Sequence, residues 1–313
     1  MIIDLLTRHG QGGNCEYPLS DYYHNSFMIA DPQEAFVLET VERVVSVRSL
    51  SNAYSIRGGA QRTSDGMMTL IQGLGWSTDT YPSFADVISN PTREHIGHAR
   101  TRSARSSELL RANEGSLEIP DMIRILRDHG AEGGNPDWHP QHAPARTICM
   151  HAAGEDRRGQ TVGSLACELA PAEAVHWVTG TAARCISIFK PVLLGVPLPP
   201  QGTRPTGRFD AWALWWRHER LHRAVLDSFG TFLAVIQEER DALEAGFRTR
   251  IRSVLAGGTE QQQAQVVAAC WEVARSVEDR WLAAIRTATE PREGSYWATW
   301  EAMDELAGIP ASR

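Results

Sequence analysis

An α+β fold, with strands gathered in the first two thirds and helices in the last, follows from three observations. Short apolar runs bounded by turn residues recur from Ser26 onward. A proline-rich stretch without periodicity, residues 196–208, interrupts the chain and reads as a connector. Beyond it, apolar residues return at intervals of three, four and seven, the spacing of a helix face. The organisation expected is an α/β body over residues 1–195 and a helical region over 209–313.

The elements follow in order. Ile2, Ile3, Leu5 and Leu6 make a short amphipathic helix that stops at Gly10, a residue suited to a C-terminal cap. Ser26–Ala30, Ala35–Leu38 and Val44–Leu50 are rich in Val, Ile and Phe and read as an antiparallel meander. Asp31-Pro32 supplies the first turn, because proline fixes φ and Asp bonds its own backbone. Asn52 then stands where the sheet gives way to loop. Met67–Leu74 suggests one or two helical turns, and Phe84–Ile88 is a short run ended by Asn90-Pro91. Thr92–Ala112 carries Arg93, Arg100, Arg102, Arg105 and Arg111 and reads as an exposed helix gripped by Leu109 and Leu110.

Pro120 opens a further helix, striped by Met122, Ile123, Ile125 and Leu126 and ended by Gly130. Thr147–Met150, Ala174–Val178 and Ile186–Phe189 are expected strands. Thr161–Leu169 is open to either reading, with strand preferred because Gly163 and the β-branched Thr161-Val162 disfavour helix. Leu214, Leu221, Val225, Phe229, Phe232, Ile236, Leu243, Phe247, Ile251 and Val254 mark one long helix. Gln261–Thr289 and Tyr296–Leu306 complete the set.

Composition sets the bounds on function. The 313 residues are 42% apolar, enough for a substantial core in one large or two ordinary domains. A net charge of -7 argues against nucleic-acid or anionic-membrane partners, which select a basic face. No apolar run approaches bilayer length, and the first thirty residues lack a signal-peptide pattern. Five cysteines, Cys15, Cys149, Cys167, Cys185 and Cys270, form no C-x-x-C pair, which fits small buried thiols in a reducing, cytoplasmic compartment.

Several residue patterns suggest chemistry. His218-Glu219-Arg220-Leu221-His222 matches the His-Glu-x-x-His spacing of zinc peptidases, with Glu219 as general base. Arg217, Arg220 and Arg223 would place three cations within two turns of such an ion, so the polar face of a surface helix is the preferred reading. His95-x-x-His98 and His139-x-x-His142 lack a cysteine or carboxylate at suggestive spacing and read as solvated loop histidines. On a strand, Cys149 and His151 would share a face, but no third group orients them, so Cys149 reads as a structural thiol. These residues require no cofactor and no bound metal.

Longer matches carry a family resemblance. Gly10–Asn14 (GQGGN), SFMIADPQEAFVLET, SLSNAYSI, Thr147–His151 (TICMH), Gly159–Leu169 (GQTVGSLACEL), His176–Thr181 (HWVTGT) and Ser187–Pro191 (SIFKP) occur in that order. Over roughly the first two thirds of its length, the chain resembles the secernins and related cysteine dipeptidases. The resemblance implies an N-terminal-nucleophile amidohydrolase that cuts dipeptides or related C–N bonds. Its fold would be an αββα sandwich of two antiparallel sheets between helical layers, and its substrate a small peptide or amide.

Within that resemblance Asn52 corresponds to the asparagine that donates to the developing oxyanion, a role worth about 3–4 kcal/mol where it has been removed. Its other reading is a turn cap before Ala53. Arg105 corresponds to the arginine beside the nucleophile. In such enzymes the attacking thiol and the base belong to one residue, whose free α-amine takes the thiol proton. The family's nucleophilic cysteine stands upstream of GQGGN, whereas this chain opens Met1-Ile2-Ile3. The expectation is therefore a sandwich lacking its first strands and inactive alone, completed by a missing N-terminal half or by self-association. Cys15 could replace the nucleophile only after cleavage behind Asn14. A non-catalytic interaction protein is the alternative.

Overall fold

The computed structural model describes residues 2–9, 26–40, 69, 72–73, 75, 98–131, 133–135, 137–142, 147–153, 159–170, 173–285 and 293–310. They fall into two compact units, Met1–Ser107 and Glu108–Arg313. Helix and antiparallel sheet are mixed, and the C-terminal region is helical, as the sequence pattern indicates.

In the first unit, helix α1 covers Ile2–His9. Strands β1 (Ser26–Ala30) and β2 (Ala35–Glu39) form an antiparallel hairpin in which Ser26 faces Glu39 and Ala30 faces Ala35. The turn is built as the Asp-Pro pair requires. Asp31 Oδ1 accepts the amide hydrogens of Gln33 at 2.7 Å and Glu34 at 2.8 Å. The expected third strand, Val44–Leu50, lies outside the described residues, as do Cys15, Asn52 and His95. Helix α2 (Ala99–Ala112) buries no residue completely. Arg105 sits half-buried on it.

In the second unit, α3 (Ile119–Leu126) opens at Pro120 and buries Ile119, Ile123 and Ile125. It ends four residues before Gly130, with Arg127 as its C-cap. Strands β3 (Leu165–Glu168), β4 (Val175–Val178) and β5 (Lys190–Leu193) form an antiparallel sheet in that order. Cys167 and Val192 face His176 from either side. Pro191, which cannot donate to a ladder, is tolerated because β5 is an edge strand.

Two expected strands are corrected. Thr147–Met150 is an irregular segment, since its backbone bonds leave the sheet: the Cys149 amide donates to Asp128 O at 3.0 Å and the Met150 amide to Thr161 Oγ1 at 3.2 Å. Ile186–Phe189 is a turn, not a strand. Ala183 adopts φ +50° and its carbonyl takes the amides of Ile186 and Ser187, so the ladder starts only at Lys190. The apolar signal there reports burial: Ile186, Ile188 and Phe189 are inaccessible to solvent.

The expected single helix from Leu214 to Val254 is two, α4 (Leu214–Ala224) and α5 (Phe229–Leu255), joined by a 3₁₀ turn at Leu226–Ser228. At the break His139 Nε2 lies 2.6 Å from the Leu226 carbonyl, taking an acceptor that an unbroken helix would use internally. Thr259 opens α6 (Glu260–Ala284) with a capping box, exchanging hydrogen bonds with Gln262. Helix α7 (Ser295–Ala307) ends at Gly308, whose left-handed φ of +71° allows the cap.

The core lies where the sheet meets α3, α5 and α6, around Trp177, Phe189, Phe229, Phe247, Ile251, Val267 and Trp271. Full burial of such a side chain contributes about 1.5–3 kcal/mol. Trp271 ties α6 to the sheet edge by donating its indole N–H to Pro191 O at 2.8 Å. Among the described residues, no helix is long and apolar enough to cross a membrane.

Candidate functional site

Three separate stretches of the second unit deliver a buried cluster of nitrogen and sulfur. His129 follows α3, where Gly130 turns the chain at φ +79°. Cys149 and His151 lie on the irregular segment that docks onto Asp128. Cys185 sits in the tight turn after β4. All four side chains are buried, and one ligand atom from each lies within 4.8 Å of all the others. His129 Nε2 and His151 Nε2 are 3.1 Å apart, and the same His151 nitrogen is 3.5 Å from both Cys149 Sγ and Cys185 Sγ.

Aromatic rings close the cluster over. Trp138 stacks on His129 with centroids 4.2 Å apart and meets His151 edge-on, while Phe229 meets both Trp138 and His151. Burial holds the His151 ring at a pKa of about 4, so the imidazole is neutral. Burial alone would raise the Cys149 thiol, but the Cys185 hydrogen bond and the two imidazoles hold it well below the usual value. Burial and the adjacent Cys149 sulfur push the Cys185 thiol up. A neutral imidazole and a thiolate are donor forms that soft divalent ions bind.

Beside the cluster opens a cleft of about 540 Å³, reached by His129 and Cys185 and walled by charged residues of both signs. Arg127 and Arg240 clamp the cysteine-bearing turn from this side. Arg127 donates to the carbonyls of Arg184 at 3.0 Å and Ser187 at 2.8 Å, and Arg240 donates to the carbonyl of Cys185. Glu244 accepts from both terminal Arg127 nitrogens and from the Phe189 amide at 2.7 Å.

The His-Glu-x-x-His helix is not the surface element expected. His218, Glu219 and His222 of α4 are buried, while Arg220 turns to solvent on the opposite side. The arginines masked an inner face that the 3.6-residue period supplies. The His218 ring is held by the protein itself: Nε2 lies 2.8 Å from Ala182 O and 3.1 Å from Ser187 Oγ, and Nδ1 lies 3.1 Å from Glu278. Glu219 pairs with Arg223 at 2.7 Å. Among the described residues these two histidines gather no third ligand.

The remaining sequence candidates divide. Cys149 and His151 do come together, although on a bend and not on a strand. Cys185 and His129 join them without any spacing signal in the sequence. His139 is half-buried against Leu226, and burial lowers its pKa, so it is not the solvated loop histidine expected. His142 is exposed. Searched against family models, the chain matches none.

Proposed function

We propose that this chain is a secernin-like hydrolase of dipeptides or related C–N amide bonds. One observation carries the reading: the separately matched stretches of the second unit bond directly to one another. Residues of TICMH and GQTVGSLACEL exchange hydrogen bonds, with Thr161 N–H donating to Met150 O at 3.0 Å. GQTVGSLACEL joins HWVTGT through Thr179 N–H and Ser164 O at 3.1 Å, and HWVTGT pairs with the strand that SIFKP enters. A family core assembled from those stretches would be contiguous in this way. The layered αββα sandwich is the arrangement this reading expects of the whole body.

In this reading the cleft takes the substrate's carboxylate end. Arg248, half-buried on its wall, is the cation we assign to a peptide carboxylate. Asn52 is the oxyanion donor in this reading and Arg105 the cation near the attacking thiol. The test is amino-acid release from a dipeptide panel by the chain from Met1 and by the longest in-frame product reading through Met1. Hydrolysis by either, falling roughly 10²–10³-fold in kcat on Asn52→Ala, is the expected result. Absence of turnover in both, or turnover indifferent to Asn52, overturns the reading.

A further inference from the structure

We propose that His129, Cys149, His151 and Cys185 form a four-coordinate site for a single zinc ion that staples three segments of the second unit together. The site goes beyond the hydrolase reading and does not depend on it. Ligand spacing is the first argument. A tetrahedral zinc about 2.0–2.1 Å from nitrogen and 2.3 Å from sulfur sets its ligands about 3.4 Å apart for N···N and 3.6 Å for N···S. The separations in the cluster are 3.1 Å for the two Nε2 atoms and 3.5 Å for each His151 Nε2–sulfur pair.

The second argument is valence. His151 Nε2 carries one lone pair or one hydrogen, yet three ligand atoms crowd it within hydrogen-bond reach, so protein contacts alone cannot use them all. A cation at the shared centre uses all four at once. Two thiolates and two imidazoles suit a borderline-soft dication such as zinc and disfavour magnesium or calcium, which take oxygen ligands.

The third argument is placement. Four protein ligands leave no open position, which is the mark of a structural site. The ligands come from the end of α3, from the 147–151 segment and from the turn after β4, two of which have no strand or helix of their own. Trp138 and Phe229 cover the cluster, and two of its ligands, His129 and Cys185, line the cleft, so the ion would help to shape that wall.

Metal content of the purified, reduced full chain is the test. One zinc per chain is expected, kept in Cys167→Ser, whose thiol is exposed and outside the cluster, and lost in Cys149→Ser and Cys185→Ser. Because those two variants risk misfolding, Co²⁺ exchanged into the unmodified chain provides a second readout: intense tetrahedral d–d bands with sulfur-to-cobalt charge transfer. Reduced chain that holds no zinc and gives no such bands overturns the proposal, as does zinc retained at full stoichiometry without both cysteines.

Discussion

Arg127 and Glu244 meet as a bidentate pair, Nη1 to Oε2 at 3.0 Å and Nη2 to Oε1 at 2.6 Å, with only 8% and 3% of their side chains exposed. The pair joins the end of α3 to the middle of α5. It also organises the turn carrying Cys185, because Arg127 holds two of that turn's carbonyls and Glu244 holds the Phe189 amide. Four of the five guanidinium N–H groups and both carboxylate oxygens are thereby engaged, which favours the persistence of a buried ion pair.

Removing one partner leaves an uncompensated buried charge. Glu244→Ala is expected to cost about 3–5 kcal/mol, since Arg127 and the Phe189 amide both lose their acceptor. Arg252→Ala, whose bridge to Glu168 is largely exposed, should cost about 0–1 kcal/mol. Urea unfolding of the two variants measures the contrast; equal midpoints would disprove the role given to Glu244.

A second prediction concerns acid. Burial alone would raise the Glu219 carboxyl, but His222 and Arg223 beside it bring its pKa down to about 2. From α7, Asp304 also reaches Arg223, and Trp300 lies against the same guanidinium at 4.2 Å. A carboxyl depressed on folding contributes stability that is present above its unfolded value, 4.5, and is lost as pH falls towards about 2. The contribution at neutral pH is about 3 kcal/mol. Glu219→Gln should remove it and flatten that part of the stability–pH curve; a slope unchanged between pH 4.5 and 2.5 would count against it.

Parts of this architecture are readable directly from residues. Asp31-Pro32 specifies the hairpin because its turn chemistry is local, and the start of α6 and both ends of α7 fall within one residue of the expected Gln261 and Tyr296–Leu306. The candidate site is less readable because its chemistry is not local. Cys149-x-His151 is visible as a pair, but His129 lies twenty positions before Cys149, and Cys185 lies beyond two strands. Nothing in those spacings resembles a metal motif. The buried side of α4 was hidden by the outward arginines, and the break at Leu226 by an apolar period that continues in phase across it. Ile186–Phe189 misleads in the opposite way, since β-branched and aromatic burial looks the same in a turn and in a strand.

The connector also carries structure. Gly202 has φ +83°, and a Cβ there would run into the Trp212 carbonyl oxygen, so backbone must move to admit it. Gly195 has a similar φ of +81° with open space around it. Gly195→Ala should therefore cost only the left-handed penalty, about 1–2 kcal/mol, and Gly202→Ala distinctly more. Thermal denaturation of both variants compares them, and a Gly202→Ala melting point at or above that of Gly195→Ala would contradict the close approach.

Trp138 offers the last prediction, because it separates the packing of the cluster from its metal chemistry. The indole lies flat on His129 and edge-on to His151 and Phe229, so it blocks water from one side without supplying a ligand. Trp138→Ala deletes that cover and should cost about 3–5 kcal/mol of stability, the usual effect of a large buried ring lost. All four donor atoms remain. Zinc stoichiometry should therefore stay at one per chain while transfer of the ion to a competing chelator speeds up, as water and chelator reach the exposed rings. Trp138→Phe, which keeps a ring over His129, should recover most of both stability and slow transfer. If the alanine variant instead loses the ion altogether while remaining folded by circular dichroism, the four ligands do not hold it by themselves and the cover has to be counted as part of the site. If transfer is as slow as in the unmodified chain, the ion is not beneath Trp138.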